Sequence, residues 1–210
     1  MVVLAIIIMF AIFIIAEWFY LQYQGGKQID EEKIPQILDT HIERYYHPGH
    51  TWVELNPEDR TVHIGLDSFT RKIIGTVDRI DLPKEGNIIQ QGSPLWTLIR
   101  GSRQLTQVTP VTGKVIQVNS PGLEQWLVKL IPLDLHKNLN NLLHGDLAEK
   151  WLDWSKSQFV MKFVPNQVPV YQDGGELVDD LCKNMTEEQW KKVQKEFFCP
   201  PLQRNQLERK

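Results

Sequence analysis

The chain has 210 residues, of which 42% are hydrophobic, so it is long enough for one well-buried core and some additional structure. The net charge of −3 gives no reason to expect nucleic-acid binding, because domains that bind nucleic acid carry an excess of positive charge. Two cysteines, Cys182 and Cys199, are too few for a disulfide scaffold, and no second cysteine or histidine stands at zinc-ligand spacing beside either of them.

Residues 1–21 are apolar almost throughout, and Glu17 is their only charged residue. A helix of this length spans roughly 30 Å, which is the thickness of the hydrocarbon core of a bilayer. No Lys or Arg precedes the apolar run and no small-x-small cleavage site follows it, so the pattern predicts an uncleaved transmembrane anchor over residues 1–24. A buried core helix is the alternative. Aromatic residues suited to the level of the lipid headgroups end the run, namely Trp18, Phe19, Tyr20 and Tyr23.

Residues 25–45 are predicted to form a linker with one short helix over residues 36–44. Lys27 and Lys33 follow the apolar run, whereas no cation precedes it. Because positive charge is retained on the cytoplasmic side, this asymmetry predicts a single-pass protein of the cell (inner) membrane whose soluble domain lies in the cytoplasm.

His47 and His50 have a spacing that some metal sites use. Pro48-Gly49 between them favours a turn rather than a helix face, and no third ligand is visible, so no metal site is predicted.

From Trp52 onward, short β-prone runs alternate with turns. Residues 52–55 and 61–64 predict a hairpin around the turn residues 56–60, and Asp67-Ser68 predicts the cap of a helix over residues 69–74. Many short strands joined by closely spaced turns predict a flattened β barrel or sandwich.

Residues 94–115 predict a central hairpin. The apolar runs 95–99 and 105–111 flank a polar tip, Arg100-Gly101-Ser102-Arg103, in which the glycine can take a backbone angle that other residues resist. Similar phrases at residues 74–80 and 112–118 suggest two half-sheets related by a pseudo-twofold axis. Arg100, Ser102 and Arg103 are candidates to contact an anion or a partner, and a solvated turn is the alternative.

Helical spacing returns after the last predicted strand. Residues 133–154 predict a helix with an apolar stripe formed by Leu135, Leu139, Leu142, Leu143, Leu147 and Trp151. Beyond it, residues 159–164 predict a strand, and residues 176–184 and 186–198 predict two helices.

The last predicted helix begins with a capping box, in which Thr186 pairs with Gln189. Trp190, Val193 and Phe197 form one apolar stripe on it. This stripe must be buried either on the chain itself or on a partner, so these three residues are also candidate partner contacts.

Between residues 46 and 152 the chain resembles the H protein of the glycine cleavage system, one of the biotinyl/lipoyl carrier domains. The resemblance implies an α+β, mainly β fold, a barrel-sandwich hybrid with flanking helices, over residues 46–154. The sequence adds the N-terminal transmembrane helix and a partly helical extension over residues 155–210. The matching phrases include His50-Thr51-Trp52-Val53, Ile74-Gly75-Thr76-Val77 and Thr109-Pro110-Val111-Thr112-Gly113. The first of these matches implies that His50 is a packed or hydrogen-bonded strand residue.

In that family a lysine at the hairpin tip is acylated with lipoate. Counting back from Thr109-Pro110 puts Ser102 at the position of this lysine, and no lysine occurs between Lys84 and Lys114. A serine hydroxyl cannot form the amide, and the arginine guanidinium remains protonated. We therefore expect neither a lipoyl group nor another cofactor.

The sequence favours a non-enzymatic, membrane-anchored, H-protein-like subunit that acts as a docking or structural platform in a larger membrane-associated complex of redox or respiratory character. Its expected partners are the other subunits of that complex and, through residues 1–21, the lipid bilayer. No nucleophile elbow, phosphate-binding glycine loop or dinucleotide fingerprint indicates an enzyme. One alternative is a lipoyl-type carrier modified at a non-standard lysine such as Lys114. Another is a membrane-fusion or efflux-type adaptor, although such adaptors usually place a long coiled coil where this chain has only residues 100–103.

Overall fold

The computed structural model describes residues 43–119, 125–164 and 179–198. The predicted membrane anchor, nearly all of the linker, and Cys199 lie outside these residues. Among the helices of the described residues, none is both long and apolar enough to cross a membrane.

The described strands form two antiparallel sheets. The larger sheet contains, in spatial order, β1 (Arg44–His47), β2 (Thr51–Asn56), β3 (Thr61–Leu66), β9 (Trp126–Pro132), β8 (Gly113–Val118) and β5 (Ile88–Ile89). The smaller sheet contains β4 (Arg79–Asp81), β6 (Pro94–Arg100) and β7 (Arg103–Val108).

Both sheets contribute to one hydrophobic core. Val53 and Ile64 of the larger sheet and Leu98 and Leu105 of the smaller sheet belong to the same cluster of buried residues. Each of these residues has a more exposed neighbour on its strand, because successive side chains of a strand point to opposite faces of the sheet. The predicted mainly β fold with flanking helices is therefore confirmed.

The predicted hairpins and the first helix cap are confirmed. Residues 56 and 61 are the last pair of the β2–β3 ladder, which leaves the predicted turn between them. Helix α1 (Ser68–Ile74) begins after Asp67, whose side chain accepts a hydrogen bond of 2.8 Å from the Thr70 N–H. This bond satisfies one of the free donors at the start of the helix.

The two similar glycine phrases do not fold alike, so the expectation of two equivalent half-sheets is wrong. The first phrase ends α1, where Gly75 has a φ of 64°, and becomes a strand only at Arg79. The second phrase is the continuous strand β8, and a Cβ on Gly113 would lie 2.6 Å from the Ile131 carbonyl oxygen. One glycine is required by a backbone angle and the other by close contact with a neighbouring strand.

Arg44 begins strand β1, whereas the sequence predicted it as the end of a helix. Its Nε lies 3.0 Å from Oε2 of Glu54, the residue directly opposite on β2, and its guanidinium lies 4.3 Å from the centre of the Trp52 ring. These cross-strand contacts favour the extended conformation at this position.

The predicted helix over residues 133–154 is two helices, α2 (Leu135–Leu139) and α3 (Gly145–Phe163). Between them Leu143 pairs with Tyr46 of the edge strand β1, through N–H···O bonds of 2.7 and 2.8 Å. This pairing requires an extended backbone, so the helix is interrupted. Because the helical register restarts at Gly145, Leu147 points outward and is 62% exposed, which contradicts its predicted place in the buried stripe.

Helix α3 also includes residues 159–163, which the sequence predicted as a strand. Phe159 is fully buried, with its ring centre 5.8 Å from that of Phe69 on α1. Packing of the helix against α1 therefore prevails over the β propensity of the run.

The C-terminal segment, which we define as residues 179–198, packs on the core. Asp179 and Asp180 are not helical, so the predicted helix over residues 176–184 is replaced, in its described part, by a short 3₁₀ helix (Leu181–Asn184). Helix α4 (Glu187–Val193) follows, and the predicted capping box between Thr186 and Gln189 is confirmed. A π-helical turn (Gln194–Phe198) ends the segment.

Candidate functional site

The tip of the β6–β7 hairpin is a two-residue loop. Arg100 and Arg103 are paired across the two strands, so Gly101 and Ser102 alone form the loop. Gly101 has a φ of 54°, as the first position of a tight hairpin loop requires, and its N–H donates a 2.6 Å hydrogen bond to Oδ2 of Asp78. The predicted tip is confirmed, and Ser102 is exposed at its apex.

Arg100 is held by the C-terminal segment. Its two Nη atoms donate to the two carboxylate oxygens of Asp180, and Nη1 also donates to the carbonyl oxygen of Ile74. The hydrogen bonds to Asp180 raise the pKa of Arg100 above its ordinary value. Asp180 is itself fixed, because its N–H donates a 2.8 Å bond to the Lys72 carbonyl. The planar fork of this arginine therefore has acceptors within the chain.

Arg103 contacts the same segment from the other strand. Its Nη2 donates to the Met185 carbonyl, and its guanidinium lies 5.9 Å from the centre of the Trp190 ring. Its Nη1 is buried and has no hydrogen-bond partner among the described residues. Trp190 adds a 3.3 Å bond from Nε1 to the carbonyl of Gln104, the next residue of β7. Both predicted anion-binding arginines are thus largely engaged inside the molecule.

The apolar stripe of α4 is buried by the chain itself. Trp190, Val193 and Phe197 are 2%, 0% and 5% exposed, and all three belong to the core cluster. The prediction that they are candidate partner contacts is therefore wrong, and the alternative of burial on the chain's own surface is confirmed.

A cavity of about 360 Å³ lies beside the hairpin tip. The four tip residues line it together with Asp78, Cys182 and Lys183. Burial raises the pKa of the Cys182 thiol, so this wall is poorly suited to nucleophilic chemistry. The remaining walls are polar and charged, which suits contact with water or a polar group more than with an apolar ligand.

A buried polar cluster around His50 was not predicted in full. Nδ1 of His50 lies 2.5 Å from Oδ2 of Asp67, and the other carboxylate oxygen accepts from the Thr70 backbone and hydroxyl at 2.8 and 2.9 Å. Gln107 joins the cluster from β7, donating to the His50 carbonyl at 2.9 Å. A detectable signal was that Gln107 shares the inward side of its strand with the buried Leu105.

His50 is packed between aromatic rings, with centre distances of 4.3 Å to Phe69 and 4.6 Å to Trp151. The prediction of a packed and hydrogen-bonded residue is confirmed, but His50 lies in a turn with a φ of 63° and not in a strand. Burial, followed by the neighbouring His50, lowers the pKa of His47 to about 4. Among the described residues, no group of three or more metal-binding side chains is arranged to hold an ion.

The comparisons with known proteins include a family match over both β sheets. A family model described as the glycine cleavage H-protein matches residues 44–154. A probable glycine cleavage system H protein from Thermococcus gammatolerans is 31% identical over 138 residues, which cover 60% of this chain and 97% of that protein. A glycine cleavage system H-like protein from Chlamydia trachomatis serovar L2 is 35% identical over 78 residues, which cover 37% of this chain and 66% of that protein.

A crystal structure of a glycine cleavage system H protein from Mycobacterium marinum aligns with a TM-score of 0.44 and 19% identity, covering 52% of this chain and 97% of that one.

The family model includes the hairpin tip and ends within α3. The C-terminal segment that contacts the tip lies beyond its last matched residue.

Proposed function

The chain belongs to the glycine cleavage H-protein family, and we propose that it is a member that carries no lipoyl group and serves as a non-enzymatic docking or structural subunit. The proposal rests on one observation at the hairpin tip. Ser102 stands at the exposed apex, where the resemblance to the family expects the acylated lysine. A hydroxyl cannot form the amide bond to lipoate, and the guanidinium groups on either side remain protonated.

The contacts of the hairpin tip favour a loop that is held in one position rather than a mobile carrier arm. Gly101 is bonded to Asp78, while Arg100 and Arg103 are bonded to Asp180 and Met185 of the C-terminal segment. All three contacts restrain the loop, and releasing the two arginine contacts would leave partly buried polar groups without partners.

Lys114 is a poor substitute for a tip lysine. It lies in β8, opposite Ile88 on one side and Ile131 on the other. Because both neighbouring strands hold the backbone of Lys114, a group attached to its side chain would extend less far from the protein surface than a group attached to a lysine at a hairpin tip. This geometry disfavours the alternative of a carrier that is modified at Lys114.

The membrane-associated part of the proposal rests on residues 1–21. Their length and apolar character favour a single-pass anchor in the cell (inner) membrane, with the β domain in the cytoplasm. We further propose that the partners are other subunits of a membrane complex of redox or respiratory character, and that residues 1–21 contact the lipid bilayer.

The test is purification of the full chain from its native membranes in a mild detergent, with the intact mass and the co-purifying proteins determined on one sample. We expect a mass without a lipoyl group and a reproducible set of companion subunits. A lipoyl-sized increase in mass would overturn the claim that the protein is unmodified. A single unaccompanied protein would overturn the docking role, so the two parts of the proposal fail separately.

A further inference from the structure

The cavity beside the hairpin tip has a wall residue whose hydrogen-bond donors are only partly satisfied. Arg103 lines this cavity, and its Nη1 is buried without a hydrogen-bond partner among the described residues. The neighbouring Cys182 thiol is a weak acceptor and does not replace an oxygen atom. A buried donor without a partner is costly in a folded protein, and a bound water or ion is one explanation for it.

The charges that line this cavity do not balance within the part of the chain that the structure describes. Arg100 is paired with Asp180, whereas Arg103 and Lys183 form no ion pair with the described residues. Asp78 is the one carboxylate among the wall residues. Once the Arg100 pair is set aside, two cations face one carboxylate, so the cavity keeps a net positive charge and attracts anions.

The donors of this cavity come from three different parts of the fold. Arg103 begins β7, Lys183 lies in the 3₁₀ helix of the C-terminal segment, and Ser102 adds a hydroxyl from the apex of the loop. Ser102 and Lys183 are exposed and Arg103 is half-buried, so the donors extend from the open side of the cavity to its inner wall. A phosphate group carries oxygens in tetrahedral directions, whereas a carboxylate has two in one plane, so this arrangement favours phosphate.

We propose that this cavity is a binding site for a phosphate group, either as the free ion or as part of a small phosphorylated molecule. Its volume of about 360 Å³ lies within the range of small-molecule sites. Arg103 binds the phosphate from the inner wall and Lys183 from the open side, and the Ser102 hydroxyl is a third donor. Lys183 lies beyond residue 154, where the family match ends, so the site requires the C-terminal segment.

The first test is isothermal titration calorimetry of the full chain in an uncharged detergent, with inorganic phosphate as the probe and the ionic strength held constant. We expect saturable binding at one site. Lys183→Gln should weaken this binding by roughly fivefold or more, because it removes a charged donor. Lys191→Gln is the matched control, since Lys191 is exposed on α4 of the same segment but does not line the cavity. An absence of saturable binding, or an equal effect of both substitutions, overturns the proposal.

The inner wall is tested with Arg103→Gln. Because Arg103 also lies against the Trp190 ring, near-UV circular dichroism first establishes that the core of this variant is intact. In the folded variant we expect the affinity for phosphate to fall by more than it does in Lys183→Gln. An unchanged affinity would overturn the role of Arg103, and the exposed Lys183 position carries the test if Arg103→Gln does not fold.

The last test distinguishes phosphate from other anions and the free ion from a phosphorylated molecule. Acetate should bind more weakly than phosphate at the same ionic strength, since it carries a single charge and two oxygens in one plane. Equal or tighter binding of acetate would overturn the assignment to phosphate. Glycerol 3-phosphate separates the two sources of the group: tighter binding than that of phosphate indicates a small phosphorylated molecule, and weaker binding indicates the free ion.

Discussion

At the scale of single residues, the proposal that this chain carries no lipoyl group depends on Ser102. Ser102 is exposed at the apex of a two-residue loop. If the chain carries no acyl group, the reason is therefore that serine has no amine, and not that the position is buried. The residues beside it differ in this respect, because the two arginines are held by the C-terminal segment. A change at Ser102 alone therefore tests the chemistry of the tip without disturbing its support.

We expect Ser102→Lys to become a substrate for lipoate attachment, whereas the unsubstituted chain remains unmodified. The substitution supplies an amine at an exposed apex and should change the free energy of unfolding by no more than about 0.5 kcal/mol. Incubation with a lipoate ligase followed by intact-mass measurement detects the product. Ser102→Arg is the control, since it adds the same charge without a usable amine. An unmodified Ser102→Lys chain would argue against the assignment of Ser102 to the lysine position.

At the scale of secondary structure, elements with a local signal were predictable. The turn after β2, the Asp67 cap of α1 and the Thr186 capping box each depend on residues within a few positions of one another. The break before α3 depends on pairing of Leu143 with Tyr46, which is far away in sequence, and its one local signal is Gly145, which has a φ of 55°.

The candidate site likewise has one feature with a local sequence signal and one that depends on a distant contact. The hairpin tip follows from a glycine between two β-prone runs, so its position was predictable. The partner of Arg100 is Asp180, 80 positions later in the chain, and the sequence placed Asp180 inside a predicted helix over residues 176–184 that gave no sign of this contact. Whether an arginine at the tip faces solvent or an internal carboxylate depends on how the C-terminal segment folds back, which is a tertiary contact.

Asp180 should add to the stability that the C-terminal segment gains from its buried apolar side chains. We expect Asp180→Asn to lower the free energy of unfolding by about 1–2 kcal/mol, because it replaces a charged two-pronged acceptor of Arg100 by a neutral amide. Asp179→Asn is the matched control: Asp179 pairs with Lys72 at 2.9 Å but its side chain is 67% exposed, so its loss should cost less than about 0.5 kcal/mol. Chemical denaturation of both variants gives the comparison. Equal losses would show that the Arg100 contact adds nothing specific.

At the scale of the whole molecule, the buried cluster around His50 joins parts that are distant in sequence. It connects the start of β2, the cap of α1 and Gln107 of β7 through hydrogen bonds, and its imidazole contacts Trp151 of α3 and Phe198 of the C-terminal segment. A buried polar group is tolerated only when its partners are in place, so this cluster links the packing of the helices to that of the sheets.

The neighbouring His47 should make the stability of the whole molecule depend on pH. Its pKa is about 4 in the folded chain, against an ordinary value of 6.5, because burial disfavours the charged ring. The unfolded chain therefore binds a proton first as the pH falls. The contribution of neutral His47 is complete above pH 6.5 and is lost progressively between about pH 6.5 and pH 4, by about 3 kcal/mol in total.

We expect His47→Asn to flatten the pH dependence of the free energy of unfolding across this interval, measured by denaturant titrations at several pH values. The asparagine retains an acceptor for the Gly49 N–H, which donates to Nδ1 of His47 at 2.9 Å, but it cannot take up a proton. His136→Asn is the matched control, since it makes the same substitution at an exposed position on α2. If the variant and the unsubstituted chain lost stability equally between pH 6.5 and pH 4, protonation of His47 would not be the cause.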